Sequence, residues 1–233
     1  MIDKLINHID LLQEKLVKYD IFINGELAKP LQDYYHVRLT YTSNFIENYT
    51  YTEEETFNLI FNNQVADFKS PLETGAVRAH DLSFQYMMTL QNNEYVNESD
   101  ILKFHSLLSG GLENNAITGK YRDKDVRVGH QIFIPPFKVK SKMLNMFEVL
   151  VKTKEKLHPI LFALKIHKDI IFIHPFMDGN GRVARLAMNA LMLQRKYLPI
   201  DISPDNKFEY HKSIQNSYYD KKAFYIFMLN QAI

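Results

Sequence analysis

Residues 174–185 read His174-Pro175-Phe176-Met177-Asp178-Gly179-Asn180-Gly181-Arg182-Val183-Ala184-Arg185, and they separate two helical stretches. Upstream, 160–173 carries Ile160, Ala163, Leu164, His167 and Ile171 on one face, with Ile166, Ile170 and Ile173 widening the stripe. A helix that apolar belongs at the centre of a fold. Downstream, Val183, Leu186, Ala187, Ala190 and Leu191 form a second stripe that predicts a helix over 183–195. Pro175 disfavours the α conformation at the residue before it, which puts His174 at the exit of the first helix. Gly179 and Gly181 permit positive φ and let backbone amides come close to an anion, and Asn180 tolerates the same geometry. The turn runs straight into a helix N-terminus, where unpaired amides and the dipole favour negative charge. Arg182 and Arg185, three residues apart, add forked cationic donors on the first turn. An imidazole, a carboxylate, an anion cradle and two guanidinium groups therefore share twelve residues. A polar interhelical turn accounts for any one of them, whereas the set together suits phosphate handling.

The surrounding chain sets bounds. With 233 residues, 46% of them hydrophobic and 24% charged, there is apolar material for one substantial core. Lys and Arg number 28 against 27 Asp and Glu, a formal charge of +1. No global field attracts nucleic acid or an anionic membrane, and direct nucleic-acid binding is not expected. The absence of cysteine excludes disulfides, thiolate nucleophiles and Cys-ligated metals. The start, MIDKLINHIDLLQEKL, lacks the order of a signal peptide, and no apolar run reaches the roughly 20 residues that span a bilayer. No membrane association and a cytoplasmic location are the default expectations.

Ile2, Leu5, Ile6, Ile9, Leu12 and Leu16 predict an opening amphipathic helix that ends by Asn24-Gly25. Tyr34, Val37, Tyr41, Phe45 and Ile46 suit a second helix over 33–47. Thr52 with Glu55 is a capping box for a third helix running to about residue 62, and Glu53 to Glu55 complement its dipole. Further helices are predicted over 72–91 and 99–108, the latter with Ser99 as N-cap and Gly110-Gly111 as stop. The stretch GKYRDKDVRVGHQIFIPP, 119–136, alternates on either side of Gly129 and reads as a short hairpin or irregular flap. Helices resume after Lys140, and a last one is predicted over 206–228. His80, His105, His158 and His167 have no metal-ligand spacing on a shared face and read as structural or solvent-facing. The fold class predicted is mostly α, a helical bundle with a short β-hairpin flap.

The loop matches at every defined position the signature of the Fic family: His, any residue, Phe, any residue, Asp or Glu, Gly-Asn-Gly-Arg, two residues, Arg. Gly119-Lys120-Tyr121-Arg122 ahead of Val128-Gly129-His130 and Pro135-Pro136 extends the likeness, which spans about residues 35–230. The resemblance implies a Fic-type helical core, ATP as substrate with a divalent metal, usually Mg²⁺, and transfer of AMP to a Ser, Thr or Tyr hydroxyl of a protein target, with the chain itself as a further acceptor. Carried over, His174 is the general base, Asp178 the metal ligand, and Gly179, Asn180 and Gly181 the anion hole. Arg182 neutralises phosphate charge and Arg185 grips the γ-phosphate. The resemblance also makes 128–134 (Val128, Gly129, His130, Gln131, Ile132, Phe133, Ile134) a target-docking flap, and puts Tyr210 near the nucleotide. Tyr218 stands where some relatives have an adenine-contacting Asn, so that role is not carried over.

Ser43-Asn44-Phe45-Ile46-Glu47-Asn48 resembles the family's inhibitory motif, in which Ser43, Glu47 and Asn48 are the defined positions, and Phe45 stands where many relatives have a small residue. Glu47 pairing with Arg185 would deny that arginine to the γ-phosphate. The division this implies is an N-terminal extension, 1–30, a segment carrying the inhibitory motif, 31–62, and a catalytic core, 63–233. Two other readings stay open: an enzyme that also removes AMP by hydrolysis, and a non-catalytic nucleotide-sensing module. Donors such as UTP or CDP-choline, used by relatives with the same loop, and self-association into a homo-oligomer stay open too.

Overall fold

A computed structural model describes residues 1–111, 118–129, 131–153 and 156–233. Among the described residues the chain forms α1 (Ile2–Val17), β1 (Phe22–Ile23), β2 (Glu26–Leu27), α2 (Lys29–Ile46), α3 (Glu53–Asn62), α4 (Pro71–Thr89), α5 (Glu98–Leu107), β3 (Arg127–Val128), β4 (Gln131–Ile132), α6 (Pro136–Thr153), α7 (Pro159–Ile173), α8 (Asn180–Gln194), α9 (Lys207–Asn216) and α10 (Ala223–Gln231). β1 pairs with β2 and β3 with β4, each pair antiparallel. The mostly α class with a β flap is what the sequence predicts.

α7 and α8 pack against each other at the centre, with α4, α5, α6 and α10 around them. Ile160, Ala163, Leu164, Ile166 and Ile170 of α7 meet Val183, Ala184, Leu186, Ala187 and Ala190 of α8 in one continuous core, each at 2% exposure or less. The same core takes in Ile6 and Ile9 of α1, so residues 1–30 pack on it rather than standing apart.

Several boundaries differ from expectation, each for a local reason. α2 begins at Lys29, earlier than predicted, because Pro30 in its first turn supplies a preset φ. Asn24 and Gly25 both have positive φ and close the unpredicted β1–β2 hairpin. α5 is capped by Asn97, whose side chain accepts from the amides of Ser99 and Asp100, so Ser99 lies inside the helix. Past α5 the chain tightens into a 3₁₀ turn, Leu108–Gly111, where the two glycines were expected to stop it. α6 starts at Pro136 rather than after Lys140. The last predicted helix is two, and within the break Lys222 N–H donates to the Asp220 carboxylate just before α10 begins. A continuous helix over 206–228 would extend roughly 34 Å, whereas folding back brings Phe224, Met228 and Leu229 to 0% exposure.

Candidate active site

The end of α2 and the start of α8 meet through Arg185. Its guanidinium is almost buried. Nε donates to Ser43 Oγ and Nη2 to the Ser43 carbonyl, both at 3.0 Å, while Nη2 also donates to Glu47 Oε1 at 2.7 Å. Ser43 and Glu47 are four residues apart on a helix and so face the same way, which is the physical content of that spacing. The chain must then leave α2 sharply, and Asn48 does so at φ +70°, a left-handed conformation that Asn tolerates. Lys207, opening α9, fastens the turn by donating to the Phe45 carbonyl at 3.0 Å and to Asn48 Oδ1 at 2.6 Å, with its ammonium over the Phe45 ring. Phe45 is thereby half-buried between Tyr41 and Lys207. Burial alone would raise the Glu47 carboxyl, but the charges of Arg185 and Arg182 and the Arg185 hydrogen bond outweigh it and hold the group below its usual value.

Glu47 also lies on the cradle. A Cβ placed on Gly181 would sit 2.6 Å from Glu47 Oε1 and 3.1 Å from Arg185 Nη1, so the carboxylate rests against a residue of the turn that has no side chain to exclude it. Gly179 is the N-cap of α8 at φ +77°, and no side chain caps the helix. The Asn180 amide group is used internally: Oδ1 accepts from Phe176 N–H and Nδ2 donates to the Phe176 carbonyl, both at 2.9 Å. Asn180 therefore sets the loop's shape through its side chain, leaving its backbone for a guest.

His174 is the C-cap of α7 at φ +52°, ψ +63°, a left-handed exit from the helix just before Pro175. Its Nδ1 faces the Ile171 carbonyl at 3.4 Å, which favours the tautomer with the proton there and a lone pair on Nε2. Burial, reinforced by the charge of Arg122, pushes the imidazole down to about 4 against the smaller opposing effects of the Ile171 carbonyl, Asp178 and Glu47. Asp178 is partly exposed, with Oδ1 accepting from Gly179 N–H and Oδ2 3.6 Å from Arg182. Arg182 is buried beneath Tyr49, whose ring centre lies 5.5 Å from the guanidinium carbon.

In the flap, Arg127 pairs with Ile132 and Val128 with Gln131 around Gly129 at φ +58°. Val128 is 58% and Ile132 62% exposed, while Phe133 and Ile134 are half-buried. His130 lies outside the described residues. Beside the flap, α6 and α7 enclose a cavity of about 430 Å³ bordered by Phe133, Phe172, Ile173 and Tyr218. Tyr210, read from the resemblance as a nucleotide neighbour, is 1% exposed and lies behind Arg185, its hydroxyl 2.8 Å from His167 Nε2 and 3.4 Å from Arg185 Nη1. His80 bonds Thr40, His105 accepts from Gly119 N–H and stacks on Phe176, and His158 caps α7. Among the described residues no cluster of three His, Asp or Glu side chains could hold a metal by itself.

Sequence reasoning gave no role to Arg122, although its motif was noticed. The side chain is 3% exposed and, among the described residues, donates to carbonyls: Nε to His174 at 2.7 Å, Nη1 to Lys124 at 2.9 Å and Nη2 to Ile134 at 2.5 Å. Its backbone N–H donates to Pro175 O at 2.9 Å. Tyr49 and Lys207 were missed as well; neither follows a periodic pattern, and only the fold brings Tyr49 over Arg182 and Lys207 to the end of α2.

A helical core that presents an uncapped helix N-terminus, two arginines and an imidazole in one place defines a phosphate-handling site on an α-helical domain. Residues 95–192 match the model of the Fic/DOC family. The chain is 32% identical over 181 residues to a protein adenylyltransferase Fic of Nematostella vectensis, an alignment covering 76% of this chain and 42% of that one. A namesake from Aedes aegypti is 30% identical over 77% of this chain and 36% of its own length. The match gives residues 95–192 a Fic domain, and the chain spans about two fifths of the length of these curated relatives. Among solved structures, Fic-1 of C. elegans superposes with a TM-score of 0.85 at 21% identity, covering 99% of this chain and 69% of that one, which shows the shared fold. A Fic family protein of Desulfovibrio desulfuricans G20 superposes with a TM-score of 0.82 at 26% identity, over 99% of this chain and 71% of that one. No described helix is long and apolar enough to cross a membrane.

Proposed function

We propose that this chain transfers AMP from ATP to a Ser, Thr or Tyr hydroxyl of a protein target, and that Glu47 holds it in check. The observation that carries this reading is the Glu47 carboxylate itself, an anion of the chain's own seated against Gly181 and paired with Arg185. A site that accepts a carboxylate there has the charge and the space for a phosphate oxygen. With Glu47 withdrawn, the amides at the start of α8 and the Arg182 and Arg185 guanidiniums would hold the triphosphate. Arg185 would then exchange one anionic partner for another while keeping Ser43.

In the transfer, the acceptor oxygen forms a bond to the α-phosphorus and the bond to the bridging oxygen breaks, releasing pyrophosphate. His174 Nε2 takes the hydroxyl proton, a task for which its neutral form is required. The chain's main contributions are alignment of the two oxygens and stabilisation of charge on the phosphoryl oxygens. Asp178, one partly exposed carboxylate beside the cradle, fits Mg²⁺, which takes one or two protein carboxylates and completes its shell with phosphate oxygens and water. Such an ion would neutralise phosphate charge when bound. The exposed flap, whose two short strands each have an outer edge, suits docking of an extended target segment by strand addition. The cavity bordered by Phe172 and Tyr218 has aromatic faces for a nucleobase.

A second reading draws on the depressed Glu47 carboxyl, which stays anionic and could orient a water for AMP removal. Pre-modified target mixed with wild-type protein and with Glu47→Gly separates the two, because removal requires the carboxylate. The primary test is labelled-nucleotide transfer by Glu47→Gly protein in cell extract with ATP, UTP, GTP and CTP compared. Label transferred from ATP supports the reading, and no transfer from any donor overturns it.

A further inference from the structure

The flap's second leg reaches back to the proposed base. Phe133 stacks on the His174 imidazole with ring centres 3.9 Å apart and planes 20° from parallel. The contact of its Nδ1 with the Ile171 carbonyl is long at 3.4 Å and pins one edge weakly. The next flap residue is tied to the same place through the backbone, because Arg122 donates to the carbonyls of both Ile134 and His174. The side chain of one flap residue thus touches the imidazole, and the backbone of its neighbour is bridged to the histidine's own carbonyl.

We propose that Phe133 is a positioning residue for His174, fixing the imidazole plane so that its unprotonated nitrogen faces the acceptor hydroxyl, while Arg122 holds the flap leg in register with the helix exit. The inference rests on the reading of His174 as base. Face-to-face stacking leaves the ring edge, where the lone pair lies, open to accept a proton, so Phe133 constrains orientation without blocking the chemistry. A ring free to turn about its side-chain bonds would spend most of its time misaligned, and a misplacement of about 1 Å at a reacting group costs roughly 100-fold in rate. The arrangement also makes the flap more than a docking edge, since whatever settles the flap settles the base. The burial Phe133 contributes is part of what holds the imidazole down, together with the charge of Arg122, while the other charged groups that face it, Asp178 and Glu47, pull the opposite way.

The test has two arms, both on the full chain with Phe133→Leu and Phe133→Tyr. In the first, histidine-ring NMR with His174→Ala for assignment follows the His174 resonances and their titration. Phe133→Leu should shift those resonances and move the midpoint from about 4 toward 6.5, while Phe133→Tyr keeps both. In the second, AMP transfer is measured in the Glu47→Gly background. Phe133→Leu should lower kcat by about 10- to 100-fold with the KM for ATP within about twofold, and Phe133→Tyr should restore kcat. Unmoved His174 resonances in Phe133→Leu overturn the proposal, as does an unchanged kcat or a loss confined to KM. If Glu47→Gly protein transfers no AMP, the functional reading fails; the NMR arm alone then decides whether Phe133 positions the ring.

Discussion

Replacing Glu47 with Gly removes a carboxylate that lies 2.7 Å from Arg185 and leaves the guanidinium with Ser43 and the Tyr210 hydroxyl. Breaking a fully buried ion pair costs about 3–5 kcal/mol because one charge is stranded. Arg185 is 6% exposed but Glu47 31%, and Ser43 remains, so the lower figure of about 2 kcal/mol is appropriate. For a chain of this size that is a fall in Tm of about 4–8 °C. The same contact must be displaced before a phosphate can reach Arg185, so its removal should tighten ATP binding by about 30-fold. The two effects have opposite signs, and that makes the prediction specific. Thermal melts with and without ATP and Mg²⁺, followed by titration calorimetry, should find Glu47→Gly less stable than wild type without nucleotide and far more strongly stabilised by it. A variant that melts with wild type and binds ATP within about twofold of it would refute the autoinhibitory pairing.

Two further expectations concern pH. The folded Glu47 carboxyl lies below its ordinary 4.5, so its contribution to stability is complete above 4.5 and is lost as pH falls through the folded value; the Tm gap between wild type and Glu47→Gln should hold from neutrality down to that point and close in more acid buffer. His167 is neutral in the fold, pushed by burial and by Arg185 from 6.5 to about 3, so its contribution is complete above 6.5 and declines as pH falls toward 3. His167→Gln, which can still bond Tyr210, should lose less stability than wild type between those pH values, by about 2 kcal/mol at pH 5, measured by denaturant unfolding.

The helices were legible where apolar residues recur at a 3.6-residue period, as in α1 and α7, or where the chain carries a capping pair, as Thr52 and Glu55 do for α3. The loop was legible because its parts are contiguous: proline, glycines and arginines act within one turn of each other. The pair of Ser43 and Glu47 was visible as a spacing, yet its partner lies 138 residues from Glu47, and only packing of α2 against α8 brings the two together. Arg122 was hidden for another reason. A buried arginine whose acceptors among the described residues are backbone carbonyls points to no complementary acid in the sequence, since any residue can supply a carbonyl. The break between α9 and α10 escaped because residues 217–222 contain neither Gly nor Pro, and the chain turns there to bury Phe224 and Met228.

The most direct measurement is transfer of label from ATP carrying it at the α-phosphate, with Glu47→Gly compared to Glu47→Gly/His174→Ala, and ATP binding followed on the same samples. The account predicts that the double variant binds ATP as the single one does and transfers no label. Transfer that persists without the imidazole, or ATP that fails to bind once the carboxylate is gone, would contradict it.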